Sequence, residues 1–289
     1  MSVPDIDPPL PRLEPRRPDS HKGDYGHALL IGGSTGMAGA IAMAGIACLR
    51  SGAGLVTLAT ASACQATVAA FETSAMSVAL VSDDEGRIAA EARDRILAEA
   101  ERATVVALGP GLGRSDGLVE LVGWLYRTIE RPMVVDADAL FALSKDTTAL
   151  ESCPAPRVLT PHPGEFARLI GHAKIEHHER EALAIQFAER TGTTLVLKGH
   201  RTVICDGVQL ALNFSGNPGM ASGGSGDVLT GMITALMGQD LEPYAAARLG
   251  VYVHGLAGDL AAAELGQIGM ISSDLIRYLP KAWKRISGF

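Results

Sequence analysis

Residues 104–113 read Thr104-Val105-Val106-Ala107-Leu108-Gly109-Pro110-Gly111-Leu112-Gly113, and this stretch decides the fold. A short apolar run bounded by turn residues is the pattern of a buried strand. The glycines that close it mark a loop where backbone approaches something closely. The spacing then predicts a helix over 118–129 and a strand over Met133–Val135 that ends in Asp136-Ala137-Asp138. The same alternation continues upstream: a strand over 28–31, a loop at Gly32-Gly33-Ser34-Thr35-Gly36, a helix over 37–50, a strand over 55–59 and a helix over 88–101. Downstream, a strand over Arg157–Leu159 runs into Pro161-His162-Pro163-Gly164-Glu165, followed by a helix over 177–190 and a strand over Thr194–Leu197.

Strands that alternate with helices imply a mostly parallel sheet covered on both faces. Ligands of such sheets bind beyond the carboxyl ends of the strands. The loops at 32–36, 109–113, 136–138 and 160–165 all follow strands, so they are expected to converge on that edge. Late in the chain, segments 202–205 and 208–212 flank Asp206-Gly207, the signal of a two-residue hairpin. Helices are expected after Asp227 and over 243–264. The whole reads as one α/β domain over 21–289. It is preceded by a 1–20 arm whose six prolines forbid a helix, and which is ordered only where it lies against the body or a neighbouring subunit.

The net charge of −7 argues against a nucleic-acid binder, which would carry a basic face. Hydrophobic residues make up 47% of the chain but aromatics only 4%, so small aliphatic side chains and 33 glycines must pack the core. Cys48, Cys64, Cys153 and Cys205 form no CxxC pair, which reads as free thiols of a reducing compartment. No basic segment followed by an apolar core opens the chain, so the cytoplasm is expected. The uncharged stretch 25–49 is broken by the glycine loop at 32–36, which argues against a membrane span.

The chemistry concentrates in Asn217-Pro218-Gly219-Met220-Ala221-Ser222-Gly223-Gly224-Ser225-Gly226-Asp227-Val228-Leu229. A glycine-rich turn at a helix N-terminus aims backbone N–H groups, and the positive end of the helix dipole, into one concavity. The span Gly223, Gly224, Ser225 and Gly226 is therefore a candidate anion hole for a phosphoryl group changing hands. A carboxylate at its mouth is a poor phosphate ligand and a better general base, which assigns Asp227 the proton of an attacking hydroxyl. The competing reading is that Asp227 merely caps the helix. No Gly-Lys-Ser/Thr occurs, so this is not a Walker loop, and Gly109–Gly113 lacks the GxGxxG spacing.

The segment 217–229 resembles the signature of the ADP/ATP-dependent NAD(P)H-hydrate dehydratases, a branch of the ribokinase-like superfamily. The likeness extends over Gly39-Ala40, 49–54, 109–113, 136–140, 160–165, 198–202 and 254–259. It implies a ribokinase-like three-layer α/β/α sandwich, Mg²⁺, ADP or ATP as cosubstrate with ADP the family's bacterial habit, and a homo-oligomer, commonly a tetramer. By the same resemblance, Lys198, Gly199, His200, Arg201 and Thr202 line the nucleotide's phosphates and ribose, and Gly226 donates to it. Ala40, Gly113, His162 and Asp227 meet the hydrated dinucleotide (NADHX or NADPHX), and Glu165 holds water around the metal. His162 stands where many sugar kinases of the superfamily have Asn. Taken alone, Lys198 at a strand end reads as a solvated lysine, and His254 and Asp259 as hydrogen-bonding groups of an Ala-rich helix.

The expected activity is thus a carbon–oxygen lyase that restores NAD(P)H from its S-hydrate. The alternative is a ribokinase-like kinase acting on a vitamin precursor; a non-catalytic nucleotide-binding scaffold ranks below both. About 20 residues precede the first strand, so an epimerase for the other hydrate epimer is expected on a separate protein.

Overall fold

The computed structural model describes residues 9–287. Nine strands make one sheet: β1 His27–Ile31, β2 Leu55–Ala61, β3 Met76–Leu80, β4 Val105–Leu108, β5 Met133–Val135, β6 Arg157–Leu159, β7 Thr194–Leu197, β8 Thr202–Cys205 and β9 Leu210–Asn213. Their order is β3-β2-β1-β4-β5-β6-β7-β8-β9. The first seven pair in parallel, and β8 and β9 add antiparallel at the end. Every residue of β4, β5 and β7 is buried. Strands covered on both faces can be continuously apolar, which is why short runs such as Val105-Val106-Ala107-Leu108 form them.

The helices are α1 Ala38–Arg50, α2 Gln65–Phe71, α3 Arg93–Arg102, α4 Asp116–Thr128, α5 Ala137–Leu143, α6 Pro163–Leu169, α7 Arg180–Thr191, α8 Ser225–Gly238, α9 Pro243–Leu265 and α10 Ser272–Ser287. Helices α1, α2, α8, α9 and α10 pack on one another over one side of the sheet, and α3 to α7 form the other layer. This is the expected three-layer α/β/α sandwich. The closest helix contact is between α1 and α8, where a Cβ on Gly231 would stand 1.9 Å from the Ala44 carbonyl oxygen. Backbone-to-backbone approach of Ala- and Gly-rich helices fills space that aromatic side chains would otherwise occupy.

Several elements differ from the sequence reading. Strand β3 and helices α2, α5, α6 and α10 were not foreseen. Strand β3 is an edge strand with Met76 exposed and only Leu80 buried, so it lacks a buried strand's continuous apolar signal. The helix expected over 88–101 begins at Arg93, after a 3-10 turn at Ala90–Ala92, and the one expected at 177 becomes α-helical only at Arg180. The hairpin carries a four-residue connection, since Cys205 pairs with Leu210. Asp206 closes that loop: its side chain accepts from the amides of Val208 and Gln209, and its own amide donates to the Gln209 carbonyl at 3.2 Å. Residues 9–20 of the arm lie on the body. Arg16 donates to the Gly52 carbonyl at 2.7 Å and stacks on Tyr25 at 3.9 Å, while Leu10 and Leu13 pack against the core. Pro4 and Pro8 fall outside the described residues. No helix among the described residues is long and apolar enough to cross a membrane.

Candidate active site

Strand order reverses about β1, which has β2 on one side and β4 on the other. At that switch point the loops after β1 and β4 are laced together. Gly33 donates its amide to the Pro110 carbonyl (2.8 Å), and Ser34 donates its hydroxyl to the Gly111 carbonyl (2.9 Å). The loop after β4 is tied to the start of α5, because Asp138 Oδ2 accepts from the Gly113 amide at 2.9 Å. The expected convergence of the strand-end loops is what the structure shows. Ala40, in the first turn of α1, borders the same loop across Gly111.

Asp136, the first residue after β5, is 1% exposed. Its Oδ1 accepts from Lys198 Nζ at 2.8 Å and its Oδ2 from Thr230 Oγ1 at 2.7 Å. Burial penalises both charges, but each sustains the other: Lys198 holds the Asp136 carboxyl below its usual range, and Asp136 holds the Lys198 ammonium above its own. Lys198 is therefore not the solvated strand-end lysine of the bland reading. A Cβ on Gly226 would lie 3.0 Å from its Nζ, which places the ammonium against the first turn of α8. The remaining turn residues, Gly199, His200 and Arg201, with Thr202 at the start of β8, form the β7–β8 connection. Arg180 braces that turn, its guanidinium donating to the carbonyls of Leu197, Lys198 and His200.

His162 is the N-cap of α6. Its Nδ1 accepts from the amides of Gly164 (3.0 Å) and Glu165 (3.3 Å), and Glu165 Oε2 accepts from the His162 amide at 2.8 Å. This reciprocal cap fixes the ring and leaves Nε2 as the protonated nitrogen of the neutral form. Burial, then Lys198 and Arg168, keep the imidazole pKa below its usual value.

Helix α8 begins at Ser225, with Gly224 as N-cap at φ 94°, a conformation L side chains rarely adopt. Asp227 is thus within the first turn rather than ahead of the helix, and no side chain caps that turn. The capping role for Asp227 fails, since its carboxylate has no hydrogen-bond partner among the described residues. Burial first, then the Asp136 carboxylate, raise its pKa from 3.8 to about 7, against the opposing pull of Lys198. The amides of Gly223, Gly224, Gly226 and Asp227 likewise have no acceptor among the described residues. The Ser225 amide differs: it turns back onto the Ser222 carbonyl at 3.3 Å, which removes it from the expected anion hole. The loop is held from behind by Ser272, which donates to the Gly223 carbonyl (2.7 Å), and by His254, whose Nε2 lies 3.0 Å from the Ser225 carbonyl. Asp259 accepts from the Gly216 amide and from Asn217. His254 thus bonds α9 to α8, as the Ala-rich context suggested, whereas Asp259 bonds α9 to the loop after β9.

The residues fit Mg²⁺ in one way only. Both Asp136 oxygens are engaged, and among the described residues no group of three or more His, Cys, Asp or Glu side chains is placed to hold a metal. Mg²⁺ prefers six oxygens and commonly keeps several waters. The donor set suits a hydrated ion carried by a bound nucleotide rather than a protein-built cage.

Sequence reasoning passed over Asp136, Asp138 and Thr230 as site residues, although the acidic pair directly after β5 was visible. Thr230 carried no signal, since it is one turn into a helix whose rotation only the fold defines.

A family model described as NAD(P)H-hydrate dehydratase matches residues 28–281. The chain is 48% identical over 275 residues to a bifunctional NAD(P)H-hydrate repair enzyme of Moorella thermoacetica, covering 94% of this chain and 51% of that protein. The chain thus spans about half the length of the curated relatives it matches first. It is 36% identical to the ADP-dependent (S)-NAD(P)H-hydrate dehydratase of Bacillus subtilis, covering 94% of each. Among solved structures it superposes with a TM-score of 0.79 on a Bacillus subtilis ADP/ATP-dependent NAD(P)H-hydrate dehydratase co-crystallised with ATP/Mg²⁺, at 31% identity and 94% coverage of each chain. The shared architecture is ribokinase-like. With a matched span that takes in the loops of the sheet's carboxyl edge and the glycine turn into α8, this chain belongs to the NAD(P)H-hydrate dehydratase family.

Proposed function

We propose that this chain removes water from the S-epimer of hydrated NADH and NADPH, consuming ADP and releasing AMP and phosphate. One observation carries the reading: Asp227, without a hydrogen bond of its own and with its pKa raised to about 7, lies beside the free amides of Gly223, Gly224 and Gly226. A base works best when its pKa lies near the working pH.

Hydroxide is a poor leaving group, so the hydrate's ring hydroxyl must be converted before it departs. Asp227 takes the proton from that hydroxyl as its oxygen attacks the β-phosphorus of ADP, and the bond to the bridging oxygen breaks to leave AMP. The free amides and the Lys198 ammonium receive the charge that spreads over the transferring oxygens. The ring nitrogen's lone pair then expels phosphate, and loss of a proton from the adjacent ring carbon restores the dihydropyridine. Lys198 to Thr202 and Gly226 hold the nucleotide; Ala40, Gly113 and His162 hold the dinucleotide. The Gly113 amide is already engaged by Asp138, so Gly113 would offer its carbonyl or Cα. Mg²⁺ arriving with the nucleotide would supply neutralisation of phosphate charge, and Glu165 would be the residue to hold it, through water. A site selective for one epimer leaves the other untouched, so an epimerase is the functional partner. A homotetramer belongs to the same reading and rests on the family resemblance.

The test is incubation with purified hydrate, Mg²⁺ and either ADP or ATP. Recovery of reduced-nicotinamide absorbance with stoichiometric free phosphate is expected. Accumulation of a stable phosphorylated product would assign a simple kinase instead.

A further inference from the structure

On the outer side of the dinucleotide loops, three cations gather around one aromatic ring. The heads of Arg114, Lys145 and Arg168 lie 4.2, 5.2 and 5.9 Å from the centroid of Phe141. They come from three separate segments: the loop after β4, the turn after α5, and the last turn of α6. Arg114 is ion-paired to Asp138, but Lys145 and Arg168 have no carboxylate partner among the described residues, and all three side chains face solvent. Like charges brought together repel, and a ring quadrupole offsets only part of that cost at exposed sites. In a chain of net charge −7, such a gathering is what an anion would stabilise.

The position says which anion. Arg114 adjoins Gly113, and Arg168 follows His162 along α6, about 9 Å further down the helix at 1.5 Å per residue. Gly113 and His162 are the residues read above as meeting the hydrated dinucleotide. A dinucleotide whose reacting ring is at Asp227 must extend its pyrophosphate and adenosine away from that ring. The cluster therefore adjoins those contacts through Arg114, next to Gly113, and through Arg168, on the helix that His162 caps. Resting on that reading of the site, we propose that Arg114, Lys145 and Arg168, organised by Phe141, bind a phosphate group of the hydrated dinucleotide and so set substrate affinity. Guanidinium heads suit phosphate because they donate in parallel pairs, with Lys145 adding a point charge.

The experiment compares the wild type with the double variant Lys145→Gln/Arg168→Gln, both changes being at exposed positions. KM and kcat are measured for NADHX and NADPHX separately, together with KM for ADP. The hydrate KM should rise roughly tenfold, a size typical of losing charge-assisted contacts to phosphate, with kcat and the ADP KM within about twofold. An equal rise for both hydrates supports the pyrophosphate as the bound group, and a rise confined to NADPHX supports the 2′-phosphate. An unchanged hydrate KM, or a rise in the ADP KM alone, overturns the proposal. Calorimetric binding of NADP⁺ and NAD⁺ to both proteins needs no turnover. Weaker binding by the variant supports the cluster even if the wild type proves unable to dehydrate the hydrate, which would count against the catalytic reading alone. Equal binding by the two proteins overturns it.

Discussion

Replacing Asp227 by Asn should slow the enzyme and stabilise it, and the two effects share one cause. Burial and the Asp136 carboxylate raise the Asp227 pKa from 3.8 to about 7. A carboxyl whose folded pKa exceeds its unfolded value contributes most below the unfolded pKa, and that contribution is lost as pH rises through the folded pKa. The stability cost of Asp227 is therefore absent below pH 4, grows between pH 4 and 7, and is complete above pH 7. At 1.36 kcal/mol per pKa unit, the full shift corresponds to about 4 kcal/mol. Asp227 retains some solvent exposure, so we discount this to about 1–3 kcal/mol. Asn has the same shape and no charge to desolvate. Urea denaturation should show the variant more stable than wild type by about that amount at pH 8, with the difference vanishing at pH 4. Turnover should fall by ~10²–10⁴-fold, the usual worth of a general base. The wild-type kcat/KM should lose activity on the acid side with a midpoint near pH 7, the value to which the carboxyl is raised. A variant that kept wild-type turnover, or whose added stability did not depend on pH, would refute the assignment.

Lys198→Met should destabilise by ~3–5 kcal/mol, because it strands the Asp136 charge in the interior; adding Asp136→Asn should recover part of the loss in urea midpoint. Gly231→Ala puts a methyl 1.9 Å from the Ala44 carbonyl. Overpacking of about 1–3 kcal/mol should outweigh the roughly 1 kcal/mol helix-propensity gain and lower the thermal midpoint. Arg157→Met removes a buried guanidinium that donates to the carbonyls of Tyr126, Ile129, Arg131, Ala155 and Pro156, at the sheet edge opposite the site. It should cost ~3 kcal/mol or more in chemical denaturation, while kcat per folded molecule stays the same.

Local pattern determined the central parallel strands, because a strand buried on both faces is apolar almost throughout, and β4, β5 and β7 carry no polar residue except Thr194. Local chemistry also determined the glycine turn before α8, where Gly224 adopts a φ of 94° that side chains with a Cβ rarely take. The sequence could not show that Ser225 turns its amide inward, because that depends on where Ser222 places its carbonyl. Nor could it show that Lys198, 62 residues from Asp136, closes a buried ion pair with it. The edge strand β3 and the short helices α5 and α6 carry too little periodicity to stand out alone; packing against the sheet forms them. The gathering of Arg114, Lys145 and Arg168 on Phe141 is likewise tertiary. Separate connections bring these charges to one ring, and no spacing along the chain encodes that meeting.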